Sequence, residues 1–283
     1  MQIKVPCKIN LGLHILNRRP DGFHNIESIL YPVQLCDVLT IEKSERFIFT
    51  SSGIQIDGSW DDNLCVKAYR LMQQHYDLSP VAIHLQKNIP AGAGLGGGSA
   101  DAAYTLKAIN QLFNLGASNQ ELKALAATLG SDCPFFIDSV PALATGRGEV
   151  LAPVDINLNG YWLLIAKPGT GVSTAEAYRG ACPLEGRSSL VGIVQQPISK
   201  WQGQLCNDFE NHIFKTCSAI GRIKEQLISM GALFAAMSGS GSAVYGIFSS
   251  QPLSLKGDDI SFQAVFLIKK TGNSSSGDPC FDC

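Results

Sequence analysis

The chain has 283 residues, a formal net charge of −2, 45% hydrophobic residues and 16% charged residues. This length and composition are typical of a globular protein with one large or two ordinary domains. The nearly balanced charge and the lack of long basic runs argue against nucleic acid as a partner. Because no uninterrupted apolar run approaches the roughly 20 residues that span a bilayer, and Lys4 and Lys8 interrupt the apolar start, we expect neither an export signal nor a membrane partner.

The nine cysteines are odd in number and show no disulfide-like spacing. We therefore expect reduced thiols in a cytoplasmic protein. Cys280 and Cys283 have CxxC spacing, but a zinc site needs about four ligands and no second pair is nearby. The small polar residues around them favour a disordered tail over residues 272–283.

The first predicted strand covers residues 5–15, where every odd position is apolar. Such alternation is typical of a half-buried strand. Lys8, Asn10 and His14 share its other face, and the pattern alone favours a solvated polar face. Turn-forming residues follow at 18–24.

The further predicted elements alternate irregularly between strands and helices. In chain order they are strands over 38–41 and 47–50, a helix over 63–74, a strand over 81–85, a helix after the glycines at 96–98 that runs to Gly116, a helix opened by the Ser118–Glu121 capping box and closed at Gly130, a strand over 161–166, helices over 208–214 and 220–229, and strands over 243–248 and 264–268. This mixture lacks strict βαβ order and predicts an α+β fold.

The segment PAGAGLGGGSADAA, residues 90–103, is the most informative stretch of the chain. Glycine accepts positive φ and a close ligand, and a helix N-terminus offers free N–H groups to an anion. The segment therefore indicates a phosphate loop, although an ordinary turn is the alternative. Ser99 can cap the helix or offer its hydroxyl to a phosphate or a metal.

Two other phosphate-binding patterns fit less well. The nucleotide-hydrolase loop requires a lysine before Ser or Thr, and none is present between Gly98 and Ala100. Gly92, Gly94 and Gly97 match G-x-G-x-x-G, but no acidic residue follows in the expected context. A dinucleotide oxidoreductase thus remains an alternative that only this short pattern supports.

Two more segments have the composition of functional loops. Asp132 follows the predicted helix end at Gly130, where acidic residues mostly serve as caps, so its spacing alone favours a structural role. The stretch MSGSGSAVYG, residues 237–246, is a second glycine–serine loop that can present backbone N–H groups.

Seven motifs together resemble those of the GHMP kinases, the superfamily of galactose, homoserine, mevalonate and phosphomevalonate kinases. The resemblance is narrower with the branch that acts on 4-diphosphocytidyl-2-C-methyl-D-erythritol, and it extends over residues 5–246. The motifs are VPCKINLGL (5–13), RPDGFH (19–24), DDNL (61–64), GLGGGSADAA (94–103), GSDCPFF (130–136), NDFE (207–210) and MSGSGSAVYG (237–246).

The resemblance implies a two-domain α+β fold with the active site in the cleft between the domains. An N-terminal nucleotide-binding domain, similar to ribosomal protein S5 domain 2, would cover residues 1–155. A ferredoxin-like α/β-sandwich domain would cover residues 156–271.

The resemblance also implies transfer of the ATP γ-phosphate to the 2-hydroxyl of the methylerythritol moiety. Asp132 is then the candidate base and Lys8 its cationic partner, which suits an alcohol that must lose its proton. Mg²⁺ is expected with ATP, and Ser99 is a possible protein ligand. The implied ATP-binding residues are Asn63, Lys87, Pro90, Ala91, Gly92, Ala93, Gly94, Leu95, Gly96, Gly97, Gly98, Ser99, Ser240 and Gly241.

The implied residues for the cytidyl substrate are Asn10, Phe23, His24, Thr174 and Tyr178. Phe23 stands where the family often has tyrosine, and Tyr178 is the candidate opposite wall of an aromatic sandwich around cytosine. Ala100 stands where serine is common.

Another small-molecule kinase of the superfamily, or a non-catalytic nucleotide-binding regulator, remains an alternative function. The expected partner is a small molecule, and the expected oligomeric state is a monomer or a weak homodimer.

Overall fold

The computed structural model describes residues 1–257 and 259–269, and its first sheet has six strands. These are β1 (Gln2–Arg18), β2 (His24–Lys43), β3 (Ile48–Gly53), β4 (Val81–Lys87), β5 (Ala142–Thr145) and β6 (Val150–Pro153). The strand order is β3-β4-β2-β5-β6, with β1 paired to β2. All pairs are antiparallel except β3 with β4. The β1–β2 hairpin closes through the predicted turn, where Gly22 has φ +86°.

Four helices pack against the first sheet and enclose its apolar core. They are α1 (Leu64–His75), α2 (Gly97–Leu112), α3 (Asn119–Leu129) and α4 (Phe135–Asp138). The predicted capping box of α3 is confirmed, because the Ser118 and Glu121 side chains each accept a backbone N–H of the other residue.

The second sheet is antiparallel, with the order β10-β7-β9-β8. Its strands are β7 (Trp162–Pro168), β8 (Phe234–Met237), β9 (Val244–Phe248) and β10 (Ile260–Leu267). The helices of this half are α5 (Thr174–Arg179), α6 (Leu190–Val194), α7 (Glu210–Thr216) and α8 (Ser218–Ser229). The apolar side of α8 packs against β7, β8 and β9.

The strand β1 lies between the two halves and is buried on both faces. Its Ile9 and Leu11 share a core with Leu163 and Tyr245 of the second sheet. The face that carries Lys8, Asn10 and His14 is also buried, so the interpretation as a solvated face was wrong. The reason is that this face lies beneath the glycine loops and the second half of the chain, which a strand pattern cannot show.

The α+β class is confirmed, whereas several boundaries differ from the prediction. β2 extends from His24 to Lys43, whereas the prediction covered only 38–41. The first half was missed because most of it is buried on both faces, so its sequence lacks the polar–apolar alternation that marks a strand. The short elements α4, β5, β6, β8, α5 and α6 were not predicted. Within the two described ranges, no disulfide joins the cysteines, and none of the helices is both long enough and apolar enough to cross a membrane. The predicted tail, with its CxxC pair, lies outside the described residues.

Candidate active site

A cavity of about 810 Å³ opens between the two halves of the molecule. One end is formed by the loop that connects β4 to α2, and the other by the turn that connects β1 to β2. Lys8 and Asn10 of β1 and Asp132 line it, together with Gly239 and Ser240 of the second glycine–serine loop. The cavity thus brings together residues from all seven of the sequence motifs.

The glycine loop owes its shape to backbone conformations that suit only glycine. Gly92, Gly94 and Gly96 have φ of +60°, +76° and +70°. A Cβ on Gly94 would lie 2.0 Å from the Ser238 carbonyl oxygen, so no side chain fits there. Helix α2 starts at Gly97, and its first N–H groups point out of the helix without intrahelical partners. The backbone N–H groups of the loop and of this helix end have the arrangement that suits an anion such as phosphate.

Lys8 and Asp132 form the charged centre of the cavity. The Lys8 Nζ lies 3.4 Å from Asp132 Oδ2, and it also donates to Asn10 Oδ1 at 2.6 Å and to the Gly94 carbonyl at 3.1 Å. The Lys8 side chain is 5% exposed, whereas that of Asp132 is 37% exposed. The ammonium is therefore fixed by three acceptors, while the carboxylate can reach a ligand.

Asn10 is held so that its amide oxygen faces Lys8. Its Nδ2 donates to Ser28 Oγ at 2.8 Å, and Ser28 Oγ donates to the Gly12 carbonyl at 2.7 Å. The Tyr245 hydroxyl donates to the Asn10 carbonyl at 2.7 Å. These contacts leave the Asn10 side chain little freedom, so it orients Lys8 in addition to lining the cavity.

The aromatic end of the cavity contains a ring contact that was not predicted. Tyr178 stacks directly on His24, with ring centroids 5.1 Å apart, and Phe209 packs edge-on against Tyr178 at 4.9 Å. Burial, together with the charge of Arg18, lowers the pKa of His24, which favours a neutral ring. Phe23 does not face Tyr178 closely; its ring is 56% exposed and lies 5.0 Å from the Arg147 guanidinium.

Lys87 does not line the cavity, contrary to its predicted place at the nucleoside end. Its Nζ is buried and donates to Asp37 Oδ2 at 2.5 Å and to Asp101 Oδ2 at 2.9 Å. Burial opposes a charge on Lys87, but the two carboxylates raise its pKa. Burial also raises the pKa of Asp101 to about 7, and the Lys87 charge only partly offsets this. These three residues tie α2 to the sheet beneath the glycine loop.

Three other predicted ATP-binding residues also lie outside the cavity lining. Asn63 caps α1, because its Oδ1 accepts the Cys65 N–H at 2.9 Å. Leu95 points into the core, and Gly241 is buried behind Ser240. The remaining predicted residues line it: Lys8, Asn10, Phe23, His24, Pro90, Ala91, Gly92, Ala93, Gly94, Gly96, Gly97, Gly98, Ser99, Asp132, Thr174, Tyr178 and Ser240.

Comparison with known proteins is consistent with this geometry. Residues 63–140 match the model of the GHMP kinases N terminal domain, and residues 195–255 match the GHMP kinases C terminal model. The 4-diphosphocytidyl-2-C-methyl-D-erythritol kinase of Parabacteroides distasonis is 48% identical over 86% of this chain and 89% of that protein. The enzyme of the same name from Cytophaga hutchinsonii is 48% identical over 87% of this chain and 92% of that protein.

The chain belongs to the 4-diphosphocytidyl-2-C-methyl-D-erythritol kinase family of GHMP kinases. A crystal structure of 4-(cytidine 5'-diphospho)-2C-methyl-D-erythritol kinase has a TM-score of 0.76 and 31% identity, and the match covers 87% of this chain and 90% of that one. As a GHMP kinase, the protein is an ATP-dependent phosphotransferase.

Two features of this GHMP kinase site escaped the sequence analysis. Arg147 lines the cavity from the turn between β5 and β6, neither of which was predicted, and only its neighbouring glycines marked that turn. Phe209 also lines the cavity and supports Tyr178. It lies within NDFE, one of the seven motifs that carry the resemblance but one to which no residue role was attached.

Proposed function

We propose that this enzyme transfers the γ-phosphate of ATP to the 2-hydroxyl of 4-diphosphocytidyl-2-C-methyl-D-erythritol, a step of the non-mevalonate route to isoprenoid precursors. The position of the Lys8–Asp132 pair carries the proposal. The pair lies in a cavity with the glycine loop at one end and the aromatic turn at the other. This arrangement supports a nucleoside triphosphate and a cytidyl alcohol that meet at the two charged side chains.

We propose that Asp132 accepts the hydroxyl proton of the alcohol. An alcohol becomes a better nucleophile as its proton moves to a base. Among the described residues that line the cavity, Asp132 is the only one with a carboxylate side chain. Its carboxylate is partly exposed to the cavity, and its Oδ2 lies 3.4 Å from the Lys8 ammonium.

We propose that Lys8 stabilises the negative charge that spreads over the transferred phosphate. Phosphoryl transfer depends mainly on positioning and charge stabilisation. The three acceptors around the Lys8 Nζ fix its location before a substrate binds. A charge that is already in place needs little reorganisation during the reaction.

We propose that Mg²⁺ accompanies ATP. Hydroxyl and carboxylate oxygens suit this hard cation, which usually keeps several waters and uses few protein ligands beside substrate phosphates. Ser99, at the start of α2, offers such an oxygen in the cavity. Among the described residues no group of three or more His, Cys, Asp or Glu side chains forms a dedicated metal site. Bound there, Mg²⁺ would neutralise phosphate charge.

We propose further that the protein acts in the cytoplasm on soluble small molecules, as a monomer or weak homodimer without nucleic acid or membrane. The proposed domains remain residues 1–155 and 156–271. The strands of the first sheet end at Pro153 and those of the second begin at Trp162, which is compatible with this division.

We expect Phe23→Ala to raise the KM for the cytidyl substrate about ten-fold, because stacking of a base on an aromatic ring is worth about 1–3 kcal/mol. The KM for ATP should stay close to that of the wild type. The exposed ring contributes little to the core, so the fold should persist. Steady-state kinetics with each substrate varied in turn test this. Trp60→Ala removes another half-exposed aromatic ring outside the cavity and serves as the control; equal rises in both KM values would argue against stacking.

Arg147 is a further candidate contact to the cytidyl substrate. Among the described residues that line the cavity, Lys8 and Arg147 are the only lysine and arginine. Arg147 lies beside the Phe23 ring. The substrate carries a diphosphate next to its nucleoside. We propose that the Arg147 guanidinium pairs with that diphosphate.

We expect Arg147→Gln to raise the KM for the cytidyl substrate about ten-fold with little change in kcat, since hydrogen bonds to charged groups are worth about 1.5–3 kcal/mol. The difference from the wild type should shrink as salt increases. Arg222→Gln removes a surface arginine that pairs with Asp259 and is the matched control. A rise in the KM for ATP instead would assign Arg147 to the nucleotide.

The experiment that tests the function is ADP release from Mg-ATP with 4-diphosphocytidyl-2-C-methyl-D-erythritol, run beside homoserine and mevalonate. Turnover with the cytidyl alcohol alone is the expected result. Turnover with another alcohol alone would retain the GHMP chemistry but overturn the proposed substrate. ATP binding without turnover of any alcohol would favour a regulator.

A further inference from the structure

The NDFE motif, residues 207–210, lies between the catalytic strand and the second glycine–serine loop. The backbone of the motif and of the residue before it is hydrogen-bonded to β1. Leu13 N–H donates to the Cys206 carbonyl, and Asp208 N–H donates to the Leu13 carbonyl, both at 2.9 Å. Asp208 Oδ2 accepts the Ile15 N–H at 2.7 Å and also pairs with Arg187. The motif is thus fixed to the strand that carries Lys8.

Asn207 connects this segment to residues 237–242. These residues are the first part of the second glycine–serine loop and are referred to below as the second loop. Its side chain is buried, with the whole residue 3% exposed. Its Nδ2 donates to the Met237 carbonyl and to the Gly239 carbonyl, each at 2.8 Å, while its Oδ1 accepts the Phe209 N–H at 3.1 Å. Both amide hydrogens of one side chain therefore hold the second loop.

The second loop in turn lies against the groups that orient Lys8. A Cβ on Gly239 would lie 3.2 Å from the Gly94 carbonyl oxygen and 3.3 Å from Asn10 Oδ1. These are the two oxygens that accept hydrogen bonds from the Lys8 Nζ. Ser238 Oγ also donates to the Gly94 carbonyl at 2.9 Å. A shift of the second loop would therefore reach the Lys8 ammonium through its acceptors.

We infer that Asn207 is a positioning residue for phosphoryl transfer: it fixes the second loop, and through it the first glycine loop and Lys8. This inference rests on the proposed function. Asn207 does not line the cavity, so its effect on the reaction passes through the loop. Since the loop meets the reaction centre rather than either end of the cavity, its displacement should affect kcat more than either KM.

Asn207→Asp is the sharpest test, because it keeps the size of the side chain and removes both N–H donors. A carboxylate would then face the Met237 and Gly239 carbonyl oxygens, which repels them. We expect kcat to fall about 100-fold and each KM to change less than about three-fold, the pattern of a misplaced reaction centre. Asn207→Ala, which removes the donors without adding charge, should show the same kcat-against-KM pattern if the Asp variant is too unstable to purify.

Asp208→Asn is the matched control within the same motif, because Asp208 contacts β1 and Arg187 but not the second loop. It should lower the thermal midpoint of unfolding without the loss of kcat. Comparable kcat losses in Asn207→Asp and Asp208→Asn at matched stability would overturn the inference, since they would indicate a general structural role.

Hydrogen–deuterium exchange provides a readout that needs no turnover. In the wild type the Ser238 N–H donates to the Ala243 carbonyl, and the Ala243 N–H to the Ala93 carbonyl. Exchange at residues 237–243 should quicken in Asn207→Asp and stay unchanged in Asp208→Asn. Unchanged exchange in the Asn207 variant would overturn the inference, whereas an inactive wild type with normal loop protection would overturn the proposed function.

Discussion

Asp132→Asn should lower kcat by about 10²–10⁴-fold, the usual contribution of a general base. The substitution keeps the shape of the side chain and an oxygen that Lys8 can bind, but it removes the group that accepts the proton. Asp132 is partly exposed in the cavity and makes no core contact, so the fold and the KM for ATP should persist. Steady-state ADP release gives kcat, and calorimetry with ATP gives the binding constant.

The control for Asp132→Asn is Asp138→Asn, the same substitution at the end of α4. Asp138 pairs with Lys123 and lies outside the cavity, so this variant should retain full turnover. If Asp132→Asn also kept its kcat within about three-fold of the wild type, proton transfer to Asp132 would not limit the reaction. Positioning and charge stabilisation would then carry the catalysis, as a loose transition state permits.

Lys8→Met should lower kcat by about 10²–10³-fold, the cost of removing one donor that stabilises charge in a transition state. Methionine fills a similar volume but removes the charge, both hydrogen bonds of the Nζ and its ion pair with Asp132. The Gly94 carbonyl and Asn10 Oδ1 then lose a donor inside a buried site, so we also expect reduced stability. ATP should still bind through the glycine loop, which calorimetry can measure.

Lys4→Met places the same substitution on an exposed side chain of the same strand and should leave kcat unchanged. The decisive comparison is between kcat and ATP affinity in Lys8→Met. If ATP affinity falls by the same factor as turnover, Lys8 binds the nucleotide equally in the ground state and the transition state. That outcome would contradict the role proposed for it.

Much of the candidate site could be predicted because its residues lie in motifs whose composition has a direct chemical explanation. The glycines at 92, 94 and 96 adopt positive φ, as a tight loop before a helix requires. Lys8 and Asp132 were assigned through the resemblance rather than from their spacing, and the structure places them 3.4 Å apart. Neither local pattern could predict that the two side chains meet, because they are 124 positions apart in the sequence.

The wrong interpretation of β1 has a physical cause. Its polar face was interpreted as solvated because a sequence shows which residues are polar but not what covers them. Lys87 was placed toward the nucleoside by the resemblance, and that role stays a prediction. In the fold, Lys87 finds two carboxylates from β2 and α2. His24 meets Tyr178 because α5 folds back over the β1–β2 turn, whereas the expected sandwich of Phe23 and Tyr178 around cytosine stays a prediction.

The α+β class, the glycine loop before α2 and the capping box of α3 could be predicted from the sequence, since they depend on local backbone chemistry and periodicity. The family was predicted from the resemblance of seven ordered motifs. Which polar groups are buried, which aromatic rings stack and that Asn207 reaches Gly239 became visible in the folded chain. These contacts join segments that are distant in the chain, and their geometry follows from how the two sheets pack around β1.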